Sequence, residues 1–500
     1  MAGNLLAKMT RPWKADEEWP PHELRDHWND VRSYRRRYGN DRQQMIEANP
    51  NLSTSTSRVE IYTPVGMPRE LCRFSASLLF SETPQVESTS HKPQLELIER
   101  VNDFGAQAVR GGVDVACEGR VGIRVIIDPI IHQTVPLLAL VPEDQIIWDI
   151  RHGAFYAGGT VIIERRPDPK DKVVFRLLEK HTAGFVERAL YKGDDRSLGK
   201  PVALSALPEF AGLEPVTATG LDRPTLVPWE NIPGAESDLF GLGPMFDQLN
   251  EAESLLLARG RASQPVTFVD RSLLDETGRL DRVGIQITGG SRMRLPLGTG
   301  PGQLINTVDP KIQSAEHIAW LDHINQLIVT CAGYAPLTWG IQGHTASITR
   351  AVSGYAMKLA QLRTLLTRSQ KEHMALQALG WGVATAIAMM SDTGEVHECL
   401  PSIQLGDGLP NDPLDGAQEV LFLKQAMAAS TETLVRTVHP TWTDREVDSE
   451  VQAIMDEGQF PPGQGVAQGV GPIPRHVRSA VHGQRDAAGD GVDSGAEGVE

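Results

Sequence analysis

Apolar positions in "PPHELRDHWNDVRSYRRRYGN" recur at helical spacing, with Leu24, Trp28, Val31, Tyr34 and Tyr38 on one stripe of an amphipathic helix that Gly39 ends. A second short helix is predicted in "MPRELCRFSASLLFSETP", where Leu71, Phe74 and Leu78 share a face and Pro84 marks the stop. From 92 to about 236 the period changes. "QLELIERVNDFGAQAVRGG" reads as helix, whereas "VGIRVIIDP", "PLLALVPEDQIIWD", "GGTVIIERR", "KVVFRLLEKH" and "GFVERALYKG" are short β-branched runs punctuated by Gly, Pro and Asp. Helices do not separate each strand from the next, so an α+β fold with a mostly antiparallel sheet is expected.

Helical periodicity returns in "GPMFDQLNEAESLLLARGRAS". Gly243 and Pro244 suit its start, Asp247, Glu251 and Glu253 lie toward the positive end of the dipole, and Met245, Leu249, Ala252 and Leu256 form its apolar stripe. Residues 265–310 are a Gly- and Pro-rich β excursion with "VTFV" and "GIQIT" as strand candidates. A return helix, "SAEHIAWLDHINQLIVTC", carries Ile318, Leu321, Ile324, Leu327 and Ile328 on one face. After the break "CAGYAPLTWGIQGHTAS", a run without proline spaces Ile348, Val352, Tyr355, Leu359, Leu362 and Leu366 in steps of four and three, a heptad-like seam that calls for another helix beside it. Ser353 and Gly354 in this run suit close packing or a kink. A helical region follows to 457, and the Gly-rich remainder, 458–500, has a composition that predicts disorder.

At 500 residues, the chain exceeds the ~250–300 at which a single core stops growing, so several parts are expected. A net charge of −16 argues against a protein that coats nucleic acid, while leaving room for a weak or sliding contact with DNA. Cys72, Cys117, Cys331 and Cys399 are too scattered for a zinc site and read as small hydrophobes in a reducing compartment. The first residues lack the apolar segment of a leader, and "ALQALGWGVATAIAMM" is short of the ~20 residues a membrane span needs, so it reads as a buried helix.

The sequence offers little to an enzyme. "GLGPMF" and "GTGPGQ" lack the G-K-[ST] ending of a phosphate loop, and neither a G-x-S-x-G elbow nor an H-E-x-x-H helix occurs. "DGLPNDPLDGAQE" has the wrong acidic spacing for a calcium loop, and His397 with Cys399 lacks two further metal ligands. No catalytic residue, metal site or cofactor is expected. Arg32, Arg35, Arg36, Arg37 and Arg42 form the most basic patch; contact with DNA is one reading, a solvated helix face or salt bridges to an acidic neighbouring subunit the other, and a charge run favours the second.

The order of elements resembles that of tailed-bacteriophage portal proteins. "MPRELCRFSASLLFSETP", "NIPGAESDLFGLGPMFDQLNEAES" and "IQLGDGLPNDPLDGAQEVLFLKQAMAASTETLVRTVHPTWTDREVDSEVQAIMDE" are similar to stretches of that family. The resemblance implies an α/β wing (1–236), a first stem helix (237–262), a small β-containing clip (263–311), a second stem helix (312–331), a tunnel loop (332–347), a long kinked wing-to-crown helix (348–390), a helical crown (391–457) and a tail (458–500). In this reading Met245, Leu249, Leu256, Ile318, Leu321, Ile324 and Ile328 pack the stem. Pro336, Gly340 and Gly343 hinge the loop, and Trp339, Gln342, His344 and Thr345 are candidates to face DNA. A rival for Tyr334 and Trp339 is simple packing beneath the long helix. The implied role is a dodecameric ring at one capsid vertex of the virion, assembled in the host cytoplasm, a channel for double-stranded DNA. Its implied partners are the large terminase, major capsid and scaffolding proteins and a head-tail adaptor, with no membrane.

Overall fold

The amphipathic stripe at the start folds as α1 (His22–Gly39), with Trp28 and Val31 buried and Asn40, rather than Gly39, in the left-handed cap. It is followed by α2 (Arg42–Ala48), whose first turn is capped by the Asp41 carboxylate accepting from the Gln44 N–H, and by α3 (Met67–Leu79). The computed structural model describes residues 16–49, 60–152, 155–167, 172–262, 266–270, 292–295, 305–308, 314–340, 354–391, 393–406, 420–425, 429–438 and 444–458. The expected tail from 459 onward, the turn at 407–419 and the strand candidate "GIQIT" lie outside them.

After β1 (Gln85–Glu87), the segment expected as one helix is two, α4 (Lys92–Asn102) and α5 (Phe104–Glu118), broken by Asp103 in a left-handed conformation with φ 46°. The β-branched runs then form β2 (Arg120–Ile126), β3 (Leu137–Pro142), β4 (Ile146–Arg151), β5 (Phe155–Arg165), β6 (Val174–Thr182), β7 (Phe185–Gly193), β8 (Lys200–Val202), β9 (Val216–Ala218) and β10 (Leu226–Glu230). They make two antiparallel sheets, one ordered β10-β2-β3 and the other β4-β5-β6-β7-β8 with β9 added on β7. The mixed α+β class with mostly antiparallel pairing is therefore what the chain adopts.

Two helices then leave and return: α6 (Gly243–Ala262) and α7 (Ser314–Cys331). Between them β11 (Val266–Asp270) pairs parallel with β12 (Arg292–Leu295) and antiparallel with β13 (Ile305–Val308), a three-stranded excursion. The long helix α8 is continuous over Gly354–Ser391, so a kink at Ser353–Gly354 falls at the limit of the described residues. Residues 393–406, expected with the C-terminal helical region, return to the body, where β14 (Ser402–Gln404) pairs with β1. The chain divides at Gly408/Leu409. The second unit contains α9 (Thr431–Val438) and α10 (Asp444–Gly458), in which Val435 and Val447 are buried.

The main core lies where the C-terminal half of α8 crosses the β10-β2-β3 sheet. Ala375, Ala378, Val383, Ala384 and Ile387 meet Val121, Ile123, Val227 and Trp229 there. The helix is small-sided at this crossing, which lets it sit close to the strands. The stretch Gln361–Ser391 of α8 is long and apolar enough to cross a membrane by length and composition, but 61% of its 18-residue apolar window is buried within the protein. Gly111 serves the same close approach on α5, since a Cβ there would stand 2.2 Å from the Trp229 ring.

The larger sheet carries polar groups into its interior. Glu143, fully buried, accepts from Arg120 at 2.7 Å and from the Trp148 indole at 2.6 Å. Burial alone would raise its pKa, yet Arg120, His27 and Trp148 hold it below the ordinary carboxylate value. On β6, His181 is 2.7 Å from the Thr225 hydroxyl, and its Nε2 is buried without a hydrogen-bond partner. Burial, then the charges of Arg124 and Arg188, which both pair with Glu179, bring its pKa down to about 3. His181 is therefore neutral in the folded state between pH 6.5 and about 3, whereas the unfolded chain takes up a proton there. Stability from this group is fully present above about pH 6.5 and is lost as pH falls toward 3, by up to ~1.4 kcal/mol per pH unit. Urea unfolding of His181→Asn across this window should show a shallower pH dependence than wild type, by up to about one proton; identical slopes would refute the assignment.

Candidate functional site

The break between α7 and α8 is where the structure gathers the chain's buried polar chemistry. The return helix ends in a Schellman arrangement, with Tyr334 N–H donating to Val329 O at 3.0 Å and Gly333 N–H to Thr330 O at 3.1 Å. Gly333 takes φ 90°, which only glycine adopts without strain. The stop thus belongs to Gly333, three residues before Pro336. Pro336 instead opens a single turn of 3-10 helix, Pro336–Trp339, closed by Gly340 at φ 70°. Gln342, Gly343, His344 and Thr345 lie outside the described residues.

Thr364 and Thr367 on α8 hold this segment directly, and Arg368 and Lys371 on the same face tie α8 to the elements around it. The Ala335 N–H donates to the Thr364 hydroxyl at 2.8 Å, and the Thr367 hydroxyl donates to Gly333 O at 2.8 Å. Arg368 donates through Nε to Leu78 O at 2.9 Å and through its terminal nitrogen to Gly406 O. One turn further on, Lys371, 3% exposed, donates to both oxygens of Asp238 at 2.5 and 2.6 Å and to the Ser75 hydroxyl at 2.6 Å. Asp238 also accepts from the Tyr334 phenol at 3.0 Å and the Asn231 amide at 2.7 Å. Tyr334 is fully buried; burial first, then the Asp238 charge, push its pKa well above the ordinary value, so it remains a donor. Spacing 364, 367, 371 puts these groups on successive turns of one helix face.

Tyr334 and Trp339 also pack. Phe74 meets Tyr334 edge-on at 5.2 Å and Trp339 at 4.8 Å between centroids, and the Trp339 N–H is buried without a partner. In the single chain these two aromatics pack against Phe74 of α3, whereas the packing alternative placed them beneath the long helix.

The expected helix pair is partly realised. Leu249, Leu321, Ile324 and Ile328 are buried together with Leu71 and Cys117, and Met245 and Leu256 pack half-buried against them. Ile318 does not join this core and is 49% exposed. The buried part of the pair is where it rests on α3 and α5, and Ile318 lies further out along α7. Leu255, Leu257, Trp320 and Leu327 are exposed with it, as are Leu362 and Leu366 of the heptad-like seam on α8.

Four of the five arginines of the basic patch are engaged within the chain. Arg32 and Arg35 pair with Asp144, Arg35 also with Glu118 at 2.6 Å, Arg37 grips Asp247 through two bonds, and Arg42 donates to Tyr62 O. These carboxylates belong to the same subunit, so the acidic partner need not come from a neighbour. His397 lies 6.2 Å from the Trp381 ring, and no group of three His, Cys, Asp or Glu that could hold a metal occurs among the described residues.

Breaking the Asp238 node from one side leaves a buried charge unpaired. Lys371→Met should cost about 3–5 kcal/mol, whereas Tyr334→Phe, which removes one hydrogen bond to the carboxylate, should cost about 1.5–3 kcal/mol. Denaturant midpoints measure both, and a Lys371→Met effect no larger than that of Tyr334→Phe would show that the ion pair does not organise the site. No family model and no curated protein matches this chain.

Proposed function

We propose that this chain is a portal subunit of a tailed bacteriophage. It would form a ring, dodecameric in the capsid, at one vertex of the virion, through which double-stranded DNA is packaged by a terminase and later ejected. The observation that carries the reading is the order and form of the parts: a mixed body, a helix out to a three-stranded β excursion, a helix back, and a long helix returning to the body. The apolar residues exposed along α6, α7 and α8 support it, because a row of half-exposed Leu, Ile and Trp on helices needs a cover that a neighbouring copy supplies. In this proposal the Asp238 node fixes the root of the tunnel loop, and the residues beyond Gly340 face the channel. An acidic chain suits a conduit, since few cationic contacts leave phosphates free to slide. Terminase, capsid, scaffolding and head-tail adaptor proteins would be its partners.

Negative-stain images of the purified protein should show rings with a central hole; monomers or dimers alone under several salt conditions would overturn the proposal. The double variant Leu362→Glu with Leu366→Glu, at positions 47% and 58% exposed in the single chain, should abolish rings while leaving the far-UV circular dichroism of the subunit unchanged. Rings that persist in this variant would remove the α8 seam from the interface.

A further inference from the structure

Where β10 passes α8, side chains enclose a cavity of about 160 Å³ whose walls include Tyr156, Arg223, Leu226, Pro228, Ala378 and Trp381. The Arg223 guanidinium stands over the Trp381 ring, its Cζ 3.6 Å from the centroid. Several part-buried arginines of the body hold a carboxylate: Arg35 has Glu118, Arg120 has Glu143, Arg124 and Arg188 share Glu179, and Arg176 has Glu164. Arg223 is in no hydrogen bond or ion pair among the described residues. Its neighbour Asp222 uses Oδ1 to accept from the Val396 N–H at 3.0 Å. Burial pulls the Arg223 pKa below its ordinary value, and the nearby Asp222 charge offsets this only in part.

We propose that this cleft receives the carboxylate of an acidic side chain, with an apolar residue beside it, from a partner protein. The size of the cavity decides the class of ligand. It is equivalent to about five water molecules and falls below the ~300–1,000 Å³ of small-molecule sites, so it admits a side chain and not a nucleotide. The planar fork of Arg223, pre-set by the indole, matches a carboxylate in two parallel bonds, and Leu226, Pro228 and Ala378 offer the neighbouring apolar contact. A nucleic-acid backbone presents a line of phosphates, which a single cation on a chain of net charge −16 does not hold. The inference is independent of whether the subunits form a ring.

Fluorescence anisotropy with a labelled peptide of alternating Asp and Leu tests it on the full chain. Wild type should bind this peptide saturably and a matched peptide of alternating Asn and Leu at least about ten-fold more weakly. Arg223→Gln should lose the Asp–Leu peptide by about ten-fold or more, and Arg223→Lys, which keeps the charge without the fork, should fall between. Should Arg223→Gln fail to fold by circular dichroism, Arg223→Lys and the two peptides on wild type decide the question. No saturable binding, equal affinity for the two peptides, unchanged affinity in the folded Arg223 variants, or a labelled DNA duplex that displaces the peptide would each overturn the proposal.

Discussion

Asp238 sits just before α6, in a part of the chain more than a hundred residues from Lys371, yet the two share an ion pair almost closed to water. Removing both charges from solvent is costly, and their attraction offsets that cost only if the remaining lone pairs and protons are also satisfied. Asn231, Tyr334 and Ser75 satisfy them. Each of these donors and acceptors comes from a different stretch of chain, so the carboxylate fixes α3, the start of the outgoing helix, the end of the returning helix and α8 relative to one another. The geometry of the interhelical break follows from that one constraint.

The large features of this arrangement were legible because they are periodic. The stripes of α1, α3 and α6 and the β-branched runs of the sheets were visible in the residues, and Gly243–Pro244 marked a true helix start. What escaped was set by single residues whose meaning depends on partners far along the chain. Asp103 breaks a helix that periodicity alone would run through, and Gly333, not the more conspicuous Pro336, ends α7. Ile318 has the right phase for a core position, but only the inner part of the helix pair has a core to enter. For the candidate site, Tyr334 and Trp339 drew attention as aromatics, while Thr364, Thr367 and Lys371 did not. Their signal was present as a polar stripe at i, i+3, i+7 in an otherwise apolar helix.

Charge is deployed in the same economical way. The arginines of α1 looked like a surface for a polyanion, but carboxylates on α5, α6 and the turn before β4 take up Arg32, Arg35 and Arg37. A basic run in sequence therefore became a set of ties between the first helix and the body. Beside these paired cations, Arg223 is conspicuous for resting on an indole, outside any hydrogen bond or ion pair among the described residues.

The Schellman end of α7 has a consequence for how this chain can change. Backbone hydrogen bonds, Gly333 and the hydroxyls of Thr364 and Thr367 set the direction in which the segment departs from α7. The root of the break is thus built as a fixed socket, its direction set by Gly333 and α8 before the chain reaches Gly340.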